Sequence, residues 1–507
     1  MGFSGSSYVF TNPPSGSNDQ QQRQEARITY DQQQIYGLNK LIDKAAEHPV
    51  SGSAGVYEII YFAGLTESPL DEYDSAEAEE MEGLLAAQRS VFGNSEKPQL
   101  KVIVANGGAK MQDAKQVADM IIRRFRGDRN FLGVVGLDRS TGAVKEAIKD
   151  FSAAHIPVLA TTLSADGIGD GSPYYFSLSP TNTDQARLML AYIQQAVPRY
   201  FKQPASVYPS NGFITAQQIV IYQPKVTDQP DNYDDLYIST LVSDLQNQAR
   251  NYRGLPSLTF TNDVNDSRLC GAATVDIYAG RHDRPIARAP ESRNDDFTQF
   301  LTRIGHCKNA MPFVIADDGV ARFVADPADR SGLDAGPLPI SYVTEGINIL
   351  STGTECLSQT TAATVTAQPL ASFCTQYAKI ATALREKGIN LLWTGERVGL
   401  AYDAAQMFLQ AAETYWRTGA AIKREEIPGE FENPDVGYNM VTGSVSFNKT
   451  LHTGVDTQQG MPLAVVRILI SDPRALPACA FTGFNGDQLS SIPNLDNQQE
   501  KCVDGPG

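Results

Sequence analysis

The chain has 507 residues, more than one compact core holds, so two or more lobes are expected. Charged residues make up 20% and hydrophobic residues 42%, and no apolar run reaches the ~18 residues of a spanning helix; Leu463 to Ile470, the longest candidate, is broken by Arg467. Forty-two basic against 58 acidic residues leave a formal charge of −16, a field that repels nucleic acid and anionic lipid, so no nucleic-acid partner is expected.

Residues 1–54 read as a polar N-terminal segment, glutamine-rich around Gln20 to Gln24, with one helical pattern carrying Ile35, Leu38, Leu41, Ile42 and Ala45. The first residues have neither a basic nor an apolar signal region. If the protein works outside the cell, an export or anchoring segment is expected to lie outside this chain, which then reads as a trimmed ectodomain. A regular rhythm follows. "VYEIIYFAG" (56–64) is a strand, Ala76 to Val91 a helix with Met81, Leu84, Leu85 and Gln88 on one side, and "LKVIVANGG" (100–108) a strand. Ala114 to Phe125 is a helix, "FLGVVG" (131–136) a strand, Ala143 to Ala154 a helix and "IPVLAT" a strand. The pattern resumes with "QQIVIYQP" (217–224), a helix from Asp235 to Tyr252, the strands "SLTFTND", "TVDIYAG" and "MPFVIADDG", and a helix from Asp296 to Ile304. Helices over Ala378–Lys387 and Gly399–Arg417 come later. Strands apolar throughout, alternating with amphipathic helices, predict doubly wound parallel sheets of the α/β class. Two such sheets place a ligand site between them, at the carboxyl ends of the strands.

The turn "GVVGLDRSTG" (133–142) stops a buried strand at Gly136 and opens a helix with Ser140 and Thr141 at its entrance. It lacks the G-x-G-x-x-G spacing, and no P-loop pattern occurs, which disfavours a nucleotide phosphate. A helix N-terminus with hydroxyls suits a carboxylate, whereas Ser140 acting only as helix cap is the plainer alternative. The next strand end, "IPVLATTLSADG" (156–167), adds Thr161, Thr162 and Ser164 to the neighbouring rim. No G-x-S-x-G elbow, H-E-x-x-H or paired Cys/His arrangement is present, so no catalytic residue is assigned and no cofactor is expected. The acidic run Asp228, Asp231, Asp234 and Asp235 lacks the spacing of a calcium loop, and His282-Asp283 reads as surface; no metal ligand is assigned.

In their order, these stretches resemble the type I periplasmic-binding-protein family, in its branched-chain amino-acid and amide-binding branch, over about residues 56–472. The likeness rests on "FLGVVGLDRSTGAVKEAIKDFSAAHIPVLATTLSADG", "DIYAGR", "GLAYDAAQMFLQAAE" (399–413) and "TGSVSFNKTLHTG…MPLAVVRI". It implies two Rossmann-like lobes joined by a three-stranded hinge, with the ligand cleft between them. The implied division is 55–178 and 344–440 for the first lobe and 179–343 and 441–474 for the second, followed by a disulfide-stapled tail over 475–507. The hinge crossings then fall near residues 178, 343 and 441. By the same likeness, Ser140, Thr141, Thr162 and Ser164 hold a ligand carboxylate. Tyr233 supplies the second lobe's tyrosine, and Asp318, with Asp317 as alternative, takes the ligand ammonium. Two departures stand out. The family's glycine after the tyrosine is Asp234, and its aromatic after the glycine pair is Arg281, which suits an anionic or highly polar ligand better than an aliphatic one.

The implied function is an extracellular or cell-envelope solute-binding protein or sensor. It would close on an amino acid or similar polar solute and serve a membrane transporter or receptor. An enzyme on the same scaffold, or an adhesion domain with an occluded cleft, is the competing reading. Six cysteines allow 15 pairings, and reduced core thiols are the alternative to disulfides. Neighbour pairing, Cys270–Cys307, Cys356–Cys374 and Cys479–Cys502, is expected because crossed pairs would tie the lobes together and resist hinge motion.

Overall fold

The computed structural model describes residues 19–48, 52, 54–66, 76–195, 217–224, 235–271, 274–280, 296–307, 313–325, 330, 338–346, 349, 354–419, 421–433, 438–447, 463–469, 478–485 and 488–491. Strands β1 (Val56–Ala63), β2 (Gln99–Asn106), β3 (Phe131–Gly136), β4 (Val158–Ala160) and β5 (Tyr175–Ser177) form a parallel sheet in the order β2-β1-β3-β4-β5. Every residue of β3 is buried, which is why the strand is apolar at consecutive positions instead of alternating. Helices α1 (Asp19–Ala46), α2 (Ala76–Val91), α3 (Ala114–Arg124) and α4 (Gly142–Ala153) flank this sheet. Its two faces carry separate cores, one around Ile59, Leu84, Val102 and Val135, the other around Ile60, Phe62, Val134 and Phe151.

The chain then leaves for a second sheet. α5 (Asn182–Gln195) and α6 (Leu236–Ala249) pack together over one face, against Ile219, Ile221 and Val275, and α7 (Asp296–Gly305) covers the other, against Tyr278 and Val314. Strands β6 (Gln218–Tyr222), β7 (Ser257–Thr261), β8 (Thr274–Tyr278), β9 (Phe313–Ala316) and β10 (Pro339–Thr344) are parallel. After β10 the chain returns to the first lobe. There α8 (Leu370–Glu386) and α9 (Glu396–Thr418) pack on α2, and a short hairpin of β11 (Tyr438–Asn439) and β12 (Ser444–Val445) joins the same core. Finally β13 (Ala464–Leu469), β14 (Ala478–Asn485) and β15 (Gln488–Ser491) extend the second sheet antiparallel, giving the order β15-β14-β13-β10-β9-β8-β6-β7. The molecule is thus two α/β lobes joined by several passages of the chain, as the resemblance implies. No helix among the described residues is long and apolar enough to cross a membrane.

Several elements differ from the sequence reading, each for a tertiary reason. The N-terminal helix starts well before its apolar pattern because its polar residues find buried partners in the first lobe. Arg27 donates two hydrogen bonds to Glu82 at 2.6 and 2.9 Å, and the Asn39 amide donates to the Val102 carbonyl at 2.8 Å. Leu41, expected on the apolar face, is instead 51% exposed. α8 begins at Leu370, eight residues before Ala378, on the turn that carries Cys374. Phe447 packs edge-on to Phe176, within the core of the first lobe. Residues 478–491 are largely strand, so this part of the tail is held by a sheet edge. Cys270–Cys307 and Cys356–Cys374 are disulfide-bonded, with Cα atoms 5.4 and 4.5 Å apart. The expected Cys479–Cys502 pair lies outside the described residues, since only the backbone of Cys479 is described.

Candidate functional site

The carboxyl ends of the two sheets face each other. At the end of β3, Gly136 has a φ of 102°, and a Cβ there would lie 2.8 Å from the Phe62 carbonyl, so only glycine fits the turn. Leu137 follows with a φ of 62°, left-handed backbone that costs a branched residue of this kind about 1 kcal/mol or more. This bend delivers Asp138, Arg139, Ser140 and Thr141, all buried, to the rim. The Thr141 hydroxyl accepts the Val144 amide and is the N-cap of α4. The cap expected as the plainer role of Ser140 is therefore filled by Thr141. The Ser140 hydroxyl is buried and has no hydrogen-bond partner among the described residues; the same holds for Thr162 Oγ1. Asp138 Oδ1 accepts the Gly64 amide at 2.9 Å, fixing this turn to the end of β1.

Main-chain contacts join the lobes at this rim. The Leu236 amide, in the first turn of α6, donates to the Ser140 carbonyl at 2.9 Å, and Thr141 and Asp235 form an antiparallel bridge. At the neighbouring strand end the Asn182 amide donates to the Ser164 carbonyl at 2.7 Å, and the Thr183 amide to Asp166 Oδ2 at 3.0 Å. Ser164 thus takes part through its backbone.

On the second lobe, β9 ends in two aspartates with different duties. Asp317 is fully buried; its oxygens accept the Gly280 amide at 2.8 Å and the Gly319 amide at 3.0 Å, so it shapes the turn. Asp318 is partly exposed, and its Oδ1 accepts the Tyr237 hydroxyl at 2.5 Å. The tyrosine at the aspartate is therefore Tyr237, at the start of α6. Tyr233 and Arg281, the other two residues assigned from sequence, lie outside the described residues. Tyr237 carries no sequence signal beyond following the capping residue Asp235, whose Oδ1 accepts the Tyr237 and Ile238 amides.

Two groups of carboxyls close the base of the cleft. At the hinge, Ser179 donates to Glu345 at 2.5 Å, and Glu396, opening α9, accepts the Thr344 hydroxyl and the Glu345 and Gly346 amides. Burial, then the Asp318 and Glu396 carboxylates, push the Glu345 carboxyl well above its ordinary range. From the first lobe come Glu79 and Glu80, in the first turns of α2. Glu80 accepts the Thr161 hydroxyl at 2.7 Å and stands 3.8 Å from Arg397. Burial outweighs the arginines and pushes Glu80 up to about 7 and Glu79 up to about 8. One oxygen of each has no hydrogen-bond partner among the described residues. The acids of "AEAEEMEG" are buried because α1, α8 and α9 pack around this helix.

The two-lobed fold is shared with solved substrate-binding proteins of ABC transporters. An ABC transporter substrate-binding protein from Desulfitobacterium hafniense superposes with a TM-score of 0.53 at 14% identity, covering 83% of this chain and 99% of its own. A branched-chain amino acid transporter substrate-binding protein of Streptococcus pneumoniae, in complex with isoleucine, gives 0.52 at 12% identity, covering 86% of this chain and 99% of its own. A solute-binding protein of Rhodopseudomonas palustris in complex with 3,4-dihydroxybenzoic acid gives 0.53 at 10% identity, covering 85% and 98%. No protein-family model matches the chain, and no curated protein matches it in sequence.

Proposed function

We propose that this chain is an extracytoplasmic solute-binding protein that closes its lobes on a small polar molecule, an amino acid or close analogue, and presents it to a membrane transporter or sensor. The observation that carries this reading is the pair of facing rims. They touch through the Leu236–Ser140 hydrogen bond yet leave the buried Ser140 hydroxyl, Thr162 Oγ1, Asn182 Oδ1 and Gln185 Nε2 without partners among the described residues. Buried polar atoms are ordinarily satisfied. Unsatisfied ones on both sides of a closing cleft suit a ligand that supplies the missing bonds and is held more tightly by the closed form. Ser140 and Thr162 at the α4 end offer themselves to a carboxylate, with Thr141 and Ser164 shaping the backbone there. Asp318 and Tyr237 offer themselves to an ammonium. Asp317 serves as their support, and Tyr233 and Arg281 remain candidates on the second rim. The structural neighbours, which hold isoleucine or an aromatic acid, support a solute-binding role without fixing the solute.

The test is a thermal-shift screen over amino acids, small amides, sugars and organic acids. A specific solute at a hundredfold excess over its dissociation constant should stabilise the protein by about 2.7 kcal/mol. Absence of any shift, with the protein shown folded, would overturn the reading in favour of a scaffold with an occluded cleft.

A further inference from the structure

We infer that the solute carries two cationic groups, as a basic amino acid or a short diamine does, one held at Asp318 and Glu345 and the other at Glu80 and Glu79. This rests on the solute-binding reading and narrows it. The base of the cleft brings together carboxyl groups from both lobes and from the hinge: Glu79, Glu80 and Asp138 from the first lobe, Asp318 from the second, Glu345 and Glu396 from the hinge. Among the described residues the arginines facing them are fewer. Arg139 lies 3.8 Å from Asp138, Arg397 lies 3.8 Å from Glu80, and Arg322 faces Glu79 from the second lobe. Glu80 also faces Tyr61 and Asp138, and Glu79 faces Arg27 and Glu82. The Asp318 carboxylate is, after burial, the largest influence raising the Glu345 carboxyl, so the two acids face each other at the hinge. A cation placed between them would relieve that repulsion.

Observations other than charge point to an occupant. Glu80 is fully buried with its second oxygen unpartnered. Gln185 is fully buried, accepts the Asp318 amide through Oε1, and has its Nε2 unpartnered beside that aspartate. Gly395, in the turn before α9, packs against the Glu79 carboxylate: a Cβ there would lie 2.2 Å from it, so the acid would have to shift. Among the described residues no group of three His, Cys, Asp or Glu is arranged to hold a metal ion. The spread of acids over both lobes fits an extended organic cation better than a point charge.

An ammonium or guanidinium entering here favours the ionised carboxylates, so binding expels the protons that burial keeps on Glu79, Glu80 and Glu345. Calorimetric titrations with L-arginine, L-lysine, putrescine, L-leucine and L-glutamate, at pH 7 in two buffers of different ionisation enthalpy, test this. The expected result is that one of the first three binds tightest and releases about one proton or more per molecule bound. Glu80→Gln, an isosteric change that mimics the protonated side chain and so preserves the fold, should weaken that dication about 30-fold or more. The same variant should leave affinity for a neutral amino acid within about threefold. Tighter binding of leucine or glutamate than of all three dications would overturn this inference and leave the solute-binding reading standing. No binding of any probe, together with a blank thermal screen, would overturn both.

Discussion

The two rims of the cleft are built alike, each a strand end running into a helix entrance, yet they distribute their hydrogen bonds differently. On the second lobe Asp317 spends both oxygens on backbone amides, and Asp318 is engaged by Tyr237. On the first lobe Thr141 does the capping, which leaves Ser140 beside it with a buried hydroxyl and no partner among the described residues; Glu80 has one oxygen in the same condition. Side chains of the same chemical type therefore do structural work at one position and stand open at another: Asp317 and Thr141 hold backbone amides, whereas Ser140 on the first lobe and Gln185 Nε2 on the second have no partner among the described residues. A carboxylate or hydroxyl whose bonds are complete stabilises the fold, and one left incomplete in a buried place is poised for a ligand.

This contrast can be broken most sharply at Asp317. Replacing it with alanine strands the Gly280 and Gly319 amides in a buried turn and should cost about 2–4 kcal/mol of stability, read from denaturant unfolding. Equal stability of Asp317→Ala and wild type would show that the second rim is not the scaffold described. Breaking the Arg27–Glu82 pair through Arg27→Ala should be comparably costly, about 3–5 kcal/mol, because the buried Glu82 loses its countercharge and keeps only the Tyr377 hydroxyl. That change would show the N-terminal helix to be part of the first lobe. Next in size, Thr141→Ala should lose about 1 kcal/mol as a removed helix cap, whereas Ser140→Ala should change stability by no more than about 0.5 kcal/mol. Matching losses at the two positions would erase the distinction between a capping hydroxyl and an open one.

A further expected effect concerns pH. Burial raises Glu79 to about 8, Glu80 to about 7, and Asp276 and Asp403 to about 7. It also raises Asp244 on α6 to about 7, with Asp166 of the first lobe adding to the shift. Each keeps a proton in the folded state that the unfolded chain has already lost above its ordinary carboxyl range. Their contribution to stability is full below that range and fades as pH rises through 7 and 8. The melting temperature of the ligand-free protein should therefore fall between pH 5 and 9, and Glu80→Gln should flatten that slope. A melting temperature that rises over the same interval would contradict the burial of these acids.

The sheets were legible in the sequence because a parallel sheet covered on both faces must be apolar at consecutive positions, as "FLGVVG" displays. Neighbour pairing of Cys270 with Cys307 and of Cys356 with Cys374 followed from keeping the lobes free to move. The acids of α2 were not legible. A helix reading A-E-A-E-E-M-E looks solvated until the packing of α1, α8 and α9 around it is known, and those contacts span up to several hundred residues of chain. Nor did spacing signal that Tyr237 meets Asp318, since its place depends on where the cap Asp235 starts α6. The Ser140 and Thr141 pair was legible as a helix entrance, but the assignment of cap to Thr141 depends on the turn set by Gly136 and Leu137.

The most direct test of the central claim, that a small solute is bound between these two rims, is calorimetry of the best solute from the screen against wild type and Ser140→Trp. Ser140 is buried at the Leu236–Ser140 contact, and an indole in place of its hydroxyl would hold the rims apart. The account predicts a saturable 1:1 isotherm for wild type that disappears in the variant while its circular dichroism is unchanged. An isotherm of undiminished affinity in the folded Ser140→Trp protein would contradict it.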